Sequence, residues 1–481
     1  MLKFEDQARY AAFKVKDPRF DGRFFVGVSS TGIYCRPICK AKLPKPKNCA
    51  FYTSAAAAEQ AGFRPCLLCR PELAPGNAPV DAASSLARRA AWLLEQGFDG
   101  NLEKLAGRLG CSGRHLRRAF TAEYGVSPVR YVQTCKLLLA KSLLSDTHLP
   151  VSEVAMAAGF GSLRRFNDLF KKQYRLAPSA LRRASAKEKA IGVTLALGYR
   201  PPYQWRKILD FLAGRAIPGV EMVAGGAYWR TVHFVTRQQR RLRGWIRIGH
   251  QPRQNALAVT VDSALLPILP SILARVRHLF DLYCDPLTVY ETLAPINRIR
   301  PGFCLPGTRL PGCFDIFEML VRAVLEQQTN RQAAGALAAG FARSYGAALQ
   351  TGINGLTHTF PAAQDILALK GSVVGHFSSL GISQASANII GELAKALACG
   401  HIDFNNCAQA KTEMEKLATI AGMEAWTAQY IAMRVLAWHD AFPHADQGAK
   451  KALAPLSARE ILALAETWRP WRGYATANLW S

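Results

Sequence analysis

The sequence is poor in acidic residues and has no long apolar run. Thirty-four Asp and Glu stand against 61 Lys and Arg, a formal charge of +27 over 481 residues. No stretch approaches the ~20 apolar residues of a membrane helix, so no membrane partner is expected. The N-terminal MLKFEDQARY holds no apolar signal core, and a cytosolic location is expected. The positive excess is spread along the chain instead of gathered in a short block, which points to nucleic acid more than to a membrane tail. A chain of this length allows roughly three domains or more, each able to bury a core.

Twelve cysteines in a reducing compartment are thiols or metal ligands and not a disulfide framework. Three residues separate Cys35 from Cys39, two separate Cys66 from Cys69, and 26 separate the pairs. This two-knuckle spacing lets four thiolates converge on one tetrahedral Zn²⁺. Cys49 has no partner at that spacing and reads as a small buried hydrophobe. A purely structural zinc is the alternative for the four.

The flanking residues, Thr31-Gly-Ile-Tyr-Cys-Arg-Pro37 and Gly62-Phe-Arg-Pro-Cys66, resemble the N-terminal domain of the Ada regulatory family over residues 1–75. The resemblance implies that Cys35 accepts a methyl group from a DNA methyl phosphotriester, that Cys39, Cys66 and Cys69 complete the zinc site, and that Thr31 and Arg64 touch DNA. Zinc keeps the sulfur a thiolate at neutral pH, so no general base is needed. Methylation makes the cluster one charge less negative, in a domain whose Arg36, Lys40, Lys42, Lys45, Lys47 and Arg64 are basic, and tighter DNA binding should follow.

Residues 76–81 read as a linker, and a helical domain is expected over 82–183. Inside 100–183 an internal repeat appears: Leu105, Ala106, Leu109, Gly110, Leu116, Phe120, Tyr124 and Pro128 recur as Val154, Ala155, Ala158, Gly159, Phe166, Phe170, Tyr174 and Pro178. Each copy reads as helix, Gly turn and basic helix. The pair resembles an AraC-type double helix-turn-helix domain, with recognition helices at 112–120 and 162–170. Arg114, His115, Arg117, Arg164 and Asn167 are the candidates for base edges, phosphate contact being the alternative for any one Arg. After a second linker at 184–190, strand-like runs and one amphipathic helix fill 191–285, and from 286 to 481 the pattern is helix after helix.

In that last part, a helix ends at Gly422, an apolar-periodic run starts with Trp426, and a lone carboxylate follows at Asp446. A hairpin of this kind offers unpaired amides and a helix dipole to a phosphate. A helix C-cap at Gly422 and an N-cap at Asp446 are the plain alternatives. With Pro311-Gly-Cys-Phe-Asp-Ile-Phe-Glu318, Val321-Arg-Ala-Val-Leu-Glu-Gln-Gln-Thr329 and Trp468-Arg-Pro-Trp-Arg-Gly-Tyr474, the stretch resembles the AlkA-type 3-methyladenine glycosylases of the helix-hairpin-helix superfamily. The resemblance implies excision of N-alkylated purines, with Asp446 as the catalytic carboxylate and Trp426, Tyr430 and Trp480 as the aromatic base pocket. Trp426 and Tyr430, one helical turn apart, also fit an ordinary core pair. The 191–285 segment resembles the small domain preceding the helical body in these enzymes, and a scaffold role is expected of it.

Trp426 stands where strand-cutting members of the superfamily carry a Schiff-base Lys, so a monofunctional enzyme is expected. The wedge position falls on Gln328. Glu424 replaces the second hairpin glycine and is expected to restrict the turn and oppose a phosphate. No Pro-Cys-His-Arg stretch for a guanine methyltransferase is present. The expected whole is a multi-domain α+β protein: a small zinc-bound α/β domain, an all-α double helix-turn-helix domain, a small α+β domain and an all-α glycosylase body. Its partners would be damaged and operator double-stranded DNA, with RNA polymerase a family expectation and a monomer expected. The rival is a methylation-responsive transcription factor whose glycosylase half only binds DNA.

Overall fold

The computed structural model describes residues 4–76, 86–95, 97–98, 100–181, 192–236, 240–298, 301–402, 404, 410–444 and 447–480. Apart from Gly76, both expected linkers lie outside these residues, and so does Asp446.

The N-terminal unit is built on β1 (Phe25–Val28), β2 (Ile33–Cys35), β3 (Cys49–Tyr52) and β4 (Arg64–Pro65), in the order β3-β1-β2-β4. Gly32, at φ +64, takes the left-handed conformation that lets β1 turn back into β2. β2 and β4 run parallel, with Tyr34 opposite Pro65, so Cys35, the last residue of β2, and Cys66, just past β4, each follow a paired position and come side by side.

Two helix pairs follow, Leu102–Arg108 with Gly113–Tyr124 and Val151–Ala157 with Leu163–Tyr174, joined by the long helix Pro128–Asp146. The repeat seen in the sequence is the repeat of the fold. Leu105, Ala106, Leu116, Phe120 and Tyr124 are buried in the first pair, and Val154, Ala155, Phe166, Phe170 and Tyr174 in the second. Ser112 and Ser162 cap the second helix of each pair, accepting from the amides of His115 and Arg165.

β5 (Val193–Gly198), β6 (Glu221–Ala224), β7 (Ala227–Val235), β8 (Arg241–Gln251) and β9 (Ala256–Val261) form an antiparallel sheet ordered β5-β9-β8-β7-β6. Its apolar face shares one core with the second helix pair, where Phe166 and Phe170 cluster with Leu195, Ile246 and Val259. A buried ion network, Glu221 and Arg230 from the sheet with Glu318 and Arg322 from the helix Ile316–Gln328, ties the sheet to the helical body.

The zinc-type unit is docked on both neighbours. Glu72 accepts from Lys141 at 2.6 Å, the two side chains being 4% and 2% exposed, and Ser54 donates to the Tyr124 carbonyl at 2.7 Å. On the other side Arg23 pairs with Asp285 and Arg200 donates to the Gly76 carbonyl. Removing one partner of a buried pair costs up to about 3–5 kcal/mol when the other charge is stranded, a cost reduced here because Arg70 also donates to Glu72 at 3.0 Å. Lys141→Ala is therefore expected to lower the first melting transition of the full chain, measured by calorimetry; an unmoved transition would mean that this pair does not carry the docking.

Candidate functional site

The Sγ atoms of Cys35, Cys39, Cys66 and Cys69 all lie within 4.8 Å of one another. A tetrahedron with Zn–S bonds of about 2.3 Å has edges of about 3.8 Å, so the four sulfurs need only a small contraction to close on Zn²⁺. The donor set is soft and complete, and the Arg36 amide donates to the Cys69 sulfur at 3.3 Å, an outer contact that orients a ligand. The four thiols are close enough to share hydrogen bonds, which hold Cys66 below and Cys35 above the usual thiol range until a metal takes every sulfur as thiolate. Cys35 itself is 7% exposed, and Cys69 is the most open of the four.

Thr31 is exposed in the β1–β2 turn, and Arg64 is brought beside it by the bond from its amide to the Gly32 carbonyl. Lys40, Lys42, Lys45 and Lys47 are exposed, but Arg36 is not part of that basic surface. Burial at 6% leaves its guanidinium bridging Asp21 and the Cys69 carbonyl. Cys49 is buried among apolar side chains, as its isolation in the sequence implied.

Beneath the cluster, Glu59 is buried where this unit meets the helix Pro128–Asp146, accepting from Tyr34 at 3.1 Å and Thr134 at 3.0 Å. Burial pushes its carboxyl up to about 8. A group whose folded pKa is raised stabilises the fold below its unfolded pKa and loses that contribution as pH rises through the folded value. Docking of the two units should thus weaken from about pH 5 to about pH 8, with a slope on the order of 1 kcal/mol per pH unit. Glu59→Gln should flatten the profile in urea titrations run across that range; an unchanged slope would exclude Glu59 as its source.

On the helix-turn-helix units, Arg114, His115, Arg117 and Arg164 are exposed on the capped helices and Asn167 is half-buried. All five sit within the first turns, at the end that enters a major groove in such domains.

In the helical body, Ala410–Ala418 and Ala425–Val435 form the hairpin, and Gly422 at φ +86 makes the turn. Tyr430 is buried, its hydroxyl accepting from Arg434 at 2.7 Å, and Arg434 also donates to the Gly312 carbonyl at 2.8 Å, which fastens the Pro311-Gly motif to the hairpin helix. Trp426 and Trp480 are partly exposed, their ring centroids 6.4 and 5.7 Å from that of Tyr430. The structure thus brings the three predicted aromatics into one cluster.

Two further side chains complete it. Phe211, from the helix Trp205–Ala213 of the sheet domain, stacks on Trp480 at 5.5 Å, and the Arg215 guanidinium lies 3.8 Å from the Phe211 centroid. Burial lowers the Arg215 pKa to about 10, so it stays charged at neutral pH. The sheet domain therefore supplies part of the cluster as well as a scaffold. In the sequence Phe211 reads as one more apolar position of an amphipathic helix, and only its register beside Arg215 set it apart.

Gln328 is exposed and accepts from the Ser383 hydroxyl, whereas the neighbouring Gln327, which sequence reasoning passed over, donates to the Gly422 carbonyl at 2.6 Å. Glu424 sits at φ −76, an ordinary value for any residue, so the turn is not strained by its side chain; the expected restriction is absent because only Gly422 needs a left-handed conformation. A cavity of about 1070 Å³ lies where the zinc-type, helix-turn-helix and sheet units meet the helical body, and Trp426, Tyr430 and Trp480 do not line it. It lies apart from the aromatic cluster.

A four-thiol cluster, a doubled helix-turn-helix and a helix-hairpin-helix body with an aromatic cluster define a DNA-repair and regulatory protein of composite build. Residues 8–72 match the metal binding domain of Ada, 105–184 a helix-turn-helix domain and 194–315 the AlkA N-terminal domain. The chain is 36% identical to the "probable bifunctional transcriptional activator/DNA repair enzyme AlkA" of Mycobacterium tuberculosis, over 98% of this chain and 95% of that one. It is 32% identical to DNA-3-methyladenine glycosylase 2 of Escherichia coli over 59% of this chain and 95% of that one. Against the bifunctional transcriptional activator/DNA repair enzyme Ada of the same organism, identity is 36% over 32% of this chain and 43% of that one. The chain belongs to the family of bifunctional AlkA-type transcriptional activators and DNA repair enzymes. Its cofactor is Zn²⁺, and its two halves are an Ada-type regulator and a DNA glycosylase. Among the described residues no helix is long and apolar enough to cross a membrane.

Proposed function

We propose that the chain meets alkylation damage in two ways, through residues 1–75 as a methyl-phosphotriester sensor, 82–183 as an operator-binding domain, and 191–285 with 286–481 as a glycosylase for N-alkylated purines such as 3-methyladenine. In the sensor, Cys35, Cys39, Cys66 and Cys69 hold the zinc, whose service is to keep sulfur as thiolate at neutral pH. The Cys35 sulfur attacks the methyl carbon of a neutral phosphotriester; the S–C bond forms, the C–O bond breaks, and its electron pair leaves with the phosphate as an ordinary diester. The protein is consumed once per methyl group. Lys40, Lys42, Lys45, Lys47 and Arg64 then hold DNA against a less negative cluster, and the helices bearing Arg114, His115, Arg117, Arg164 and Asn167 read the operator. Recruitment of RNA polymerase, a monomeric state and a cytosolic location belong to the same proposal.

In the glycosylase, a cationic purine flipped from the duplex stacks among Trp426, Tyr430, Trp480 and Phe211. The glycosidic bond breaks with its electron pair leaving on the already positive base, Asp446 stabilises the electron-poor sugar, and water completes the abasic site. Gly422 and the amides of the hairpin receive a phosphate, and Gln328 faces the gap the base leaves. The observation that carries the reading is the closure of four aromatics from three distant segments into one cluster on the hairpin helix. A half retained only to bind DNA has no need of it. Since Trp426 replaces the Schiff-base lysine, borohydride should trap no covalent enzyme–DNA adduct, and the product strand should stay unbroken at the abasic site; a trapped adduct contradicts the monofunctional assignment.

A further inference from the structure

Glu424 departs from the glycine that glycosylases of this class carry, and it sits at the N-cap of the helix Ala425–Val435 without making a cap bond to that helix. Its carboxylate instead accepts the indole Nε1–H of Trp426. The backbone on either side is held as well: the Glu424 amide donates to the Gln327 Oε1 at 3.5 Å, and Gln327 Nε2 donates to the Gly422 carbonyl at 2.6 Å. Trp426 is half-buried and packs against the core of the helical body beside Tyr430. The charged acceptor on the indole N–H adds a directional contact to that packing, with the indole at 51° to the Tyr430 ring.

We infer that Glu424 is a positioning residue for Trp426, holding the indole in the orientation that receives the base, at the expense of a carboxylate left near the phosphate site of the hairpin. The inference rests on the reading of Trp426 as a wall of the base pocket. It makes one side chain act in opposite directions on two quantities: the anion weakens DNA binding, and the hydrogen bond speeds excision once DNA is bound. Glu424→Gly removes both effects. Glu424→Gln removes the charge and keeps a carbonyl acceptor at the same reach.

The test is single-turnover release of 3-methyladenine by the full-length zinc-loaded protein, with dissociation constants for abasic-analogue DNA at several salt concentrations. E424G should bind more tightly than wild type yet release base about tenfold more slowly, and E424Q should bind more tightly while recovering the rate to within about threefold of wild type. In a Trp426→Phe background, which has no indole N–H, E424G should cause no further slowing. The proposal is overturned if E424G keeps the wild-type rate, if E424Q is as slow as E424G, or if E424G still slows the Trp426→Phe protein. Loss of affinity together with rate in E424G also overturns it, because a collapsed hairpin lowers both. A Trp426→Ala protein that excises at the wild-type rate sinks the pocket reading itself, a failure distinct from all of these.

Discussion

A Cys35→Ala protein is expected to gain no mass on incubation with DNA carrying methyl phosphotriesters, while wild type gains one methyl group and then binds DNA more tightly. The effect is all or none because the acceptor sulfur is the reagent. Three of the four ligands remain in the variant, so part of the zinc should stay and the sheet that presents Cys39, Cys66 and Cys69 should keep its fold. The arrangement also names its own controls. Cys49 is buried in the same unit without a place in the cluster, and Cys69 is the ligand with the greatest exposure. Peptide mass mapping that finds the methyl on either of these would move the acceptor away from Cys35, and absence of transfer from a zinc-loaded, DNA-bound protein would leave the zinc structural.

Asp446→Asn is expected to lower release of 3-methyladenine by about 10²–10³-fold, with folding and DNA binding retained, because the change removes a charge and almost no volume. Thermal melting and binding to abasic-analogue DNA check the second half of that statement. A variant that still excises at the wild-type rate would take Asp446 out of the chemistry. A Trp480→Ala protein would then ask whether the aromatic cluster acts by itself.

Local patterns were legible wherever the physics is local. Knuckle spacing announced the four cysteines, and the recurrence of Leu116, Phe120 and Tyr124 as Phe166, Phe170 and Tyr174 announced two copies of one fold, since buried positions on a helix repeat with its turn. Gly422 marked the hairpin because a left-handed residue was needed there. Arg36 escaped for the opposite reason. An arginine in a basic stretch looks like a surface cation until Asp21, far away in sequence, is seen to bury it. Phe211 and Arg215 escaped because an amphipathic helix has many apolar positions and nothing local says that Trp480 will stack on one of them. Glu424 was legible as a departure from pattern, but the expected restriction of the turn is absent: its backbone angle is ordinary and the side chain's partner is Trp426, two residues on. The docking of the units was also hidden, because Glu72 and Lys141, 69 residues apart, look like separate surface charges until the helix Pro128–Asp146 packs on the zinc-type unit and buries both.

The central claim is that one chain both accepts a methyl group from damaged DNA and removes alkylated bases from it. A single incubation of the full-length zinc-loaded protein with methylated duplex DNA, read by intact-protein mass and by chromatography of the released bases, tests both halves at once. The account predicts one added methyl group on the protein together with free 3-methyladenine and an unbroken strand bearing abasic sites. A protein that binds the DNA but neither gains mass nor releases a base would contradict it.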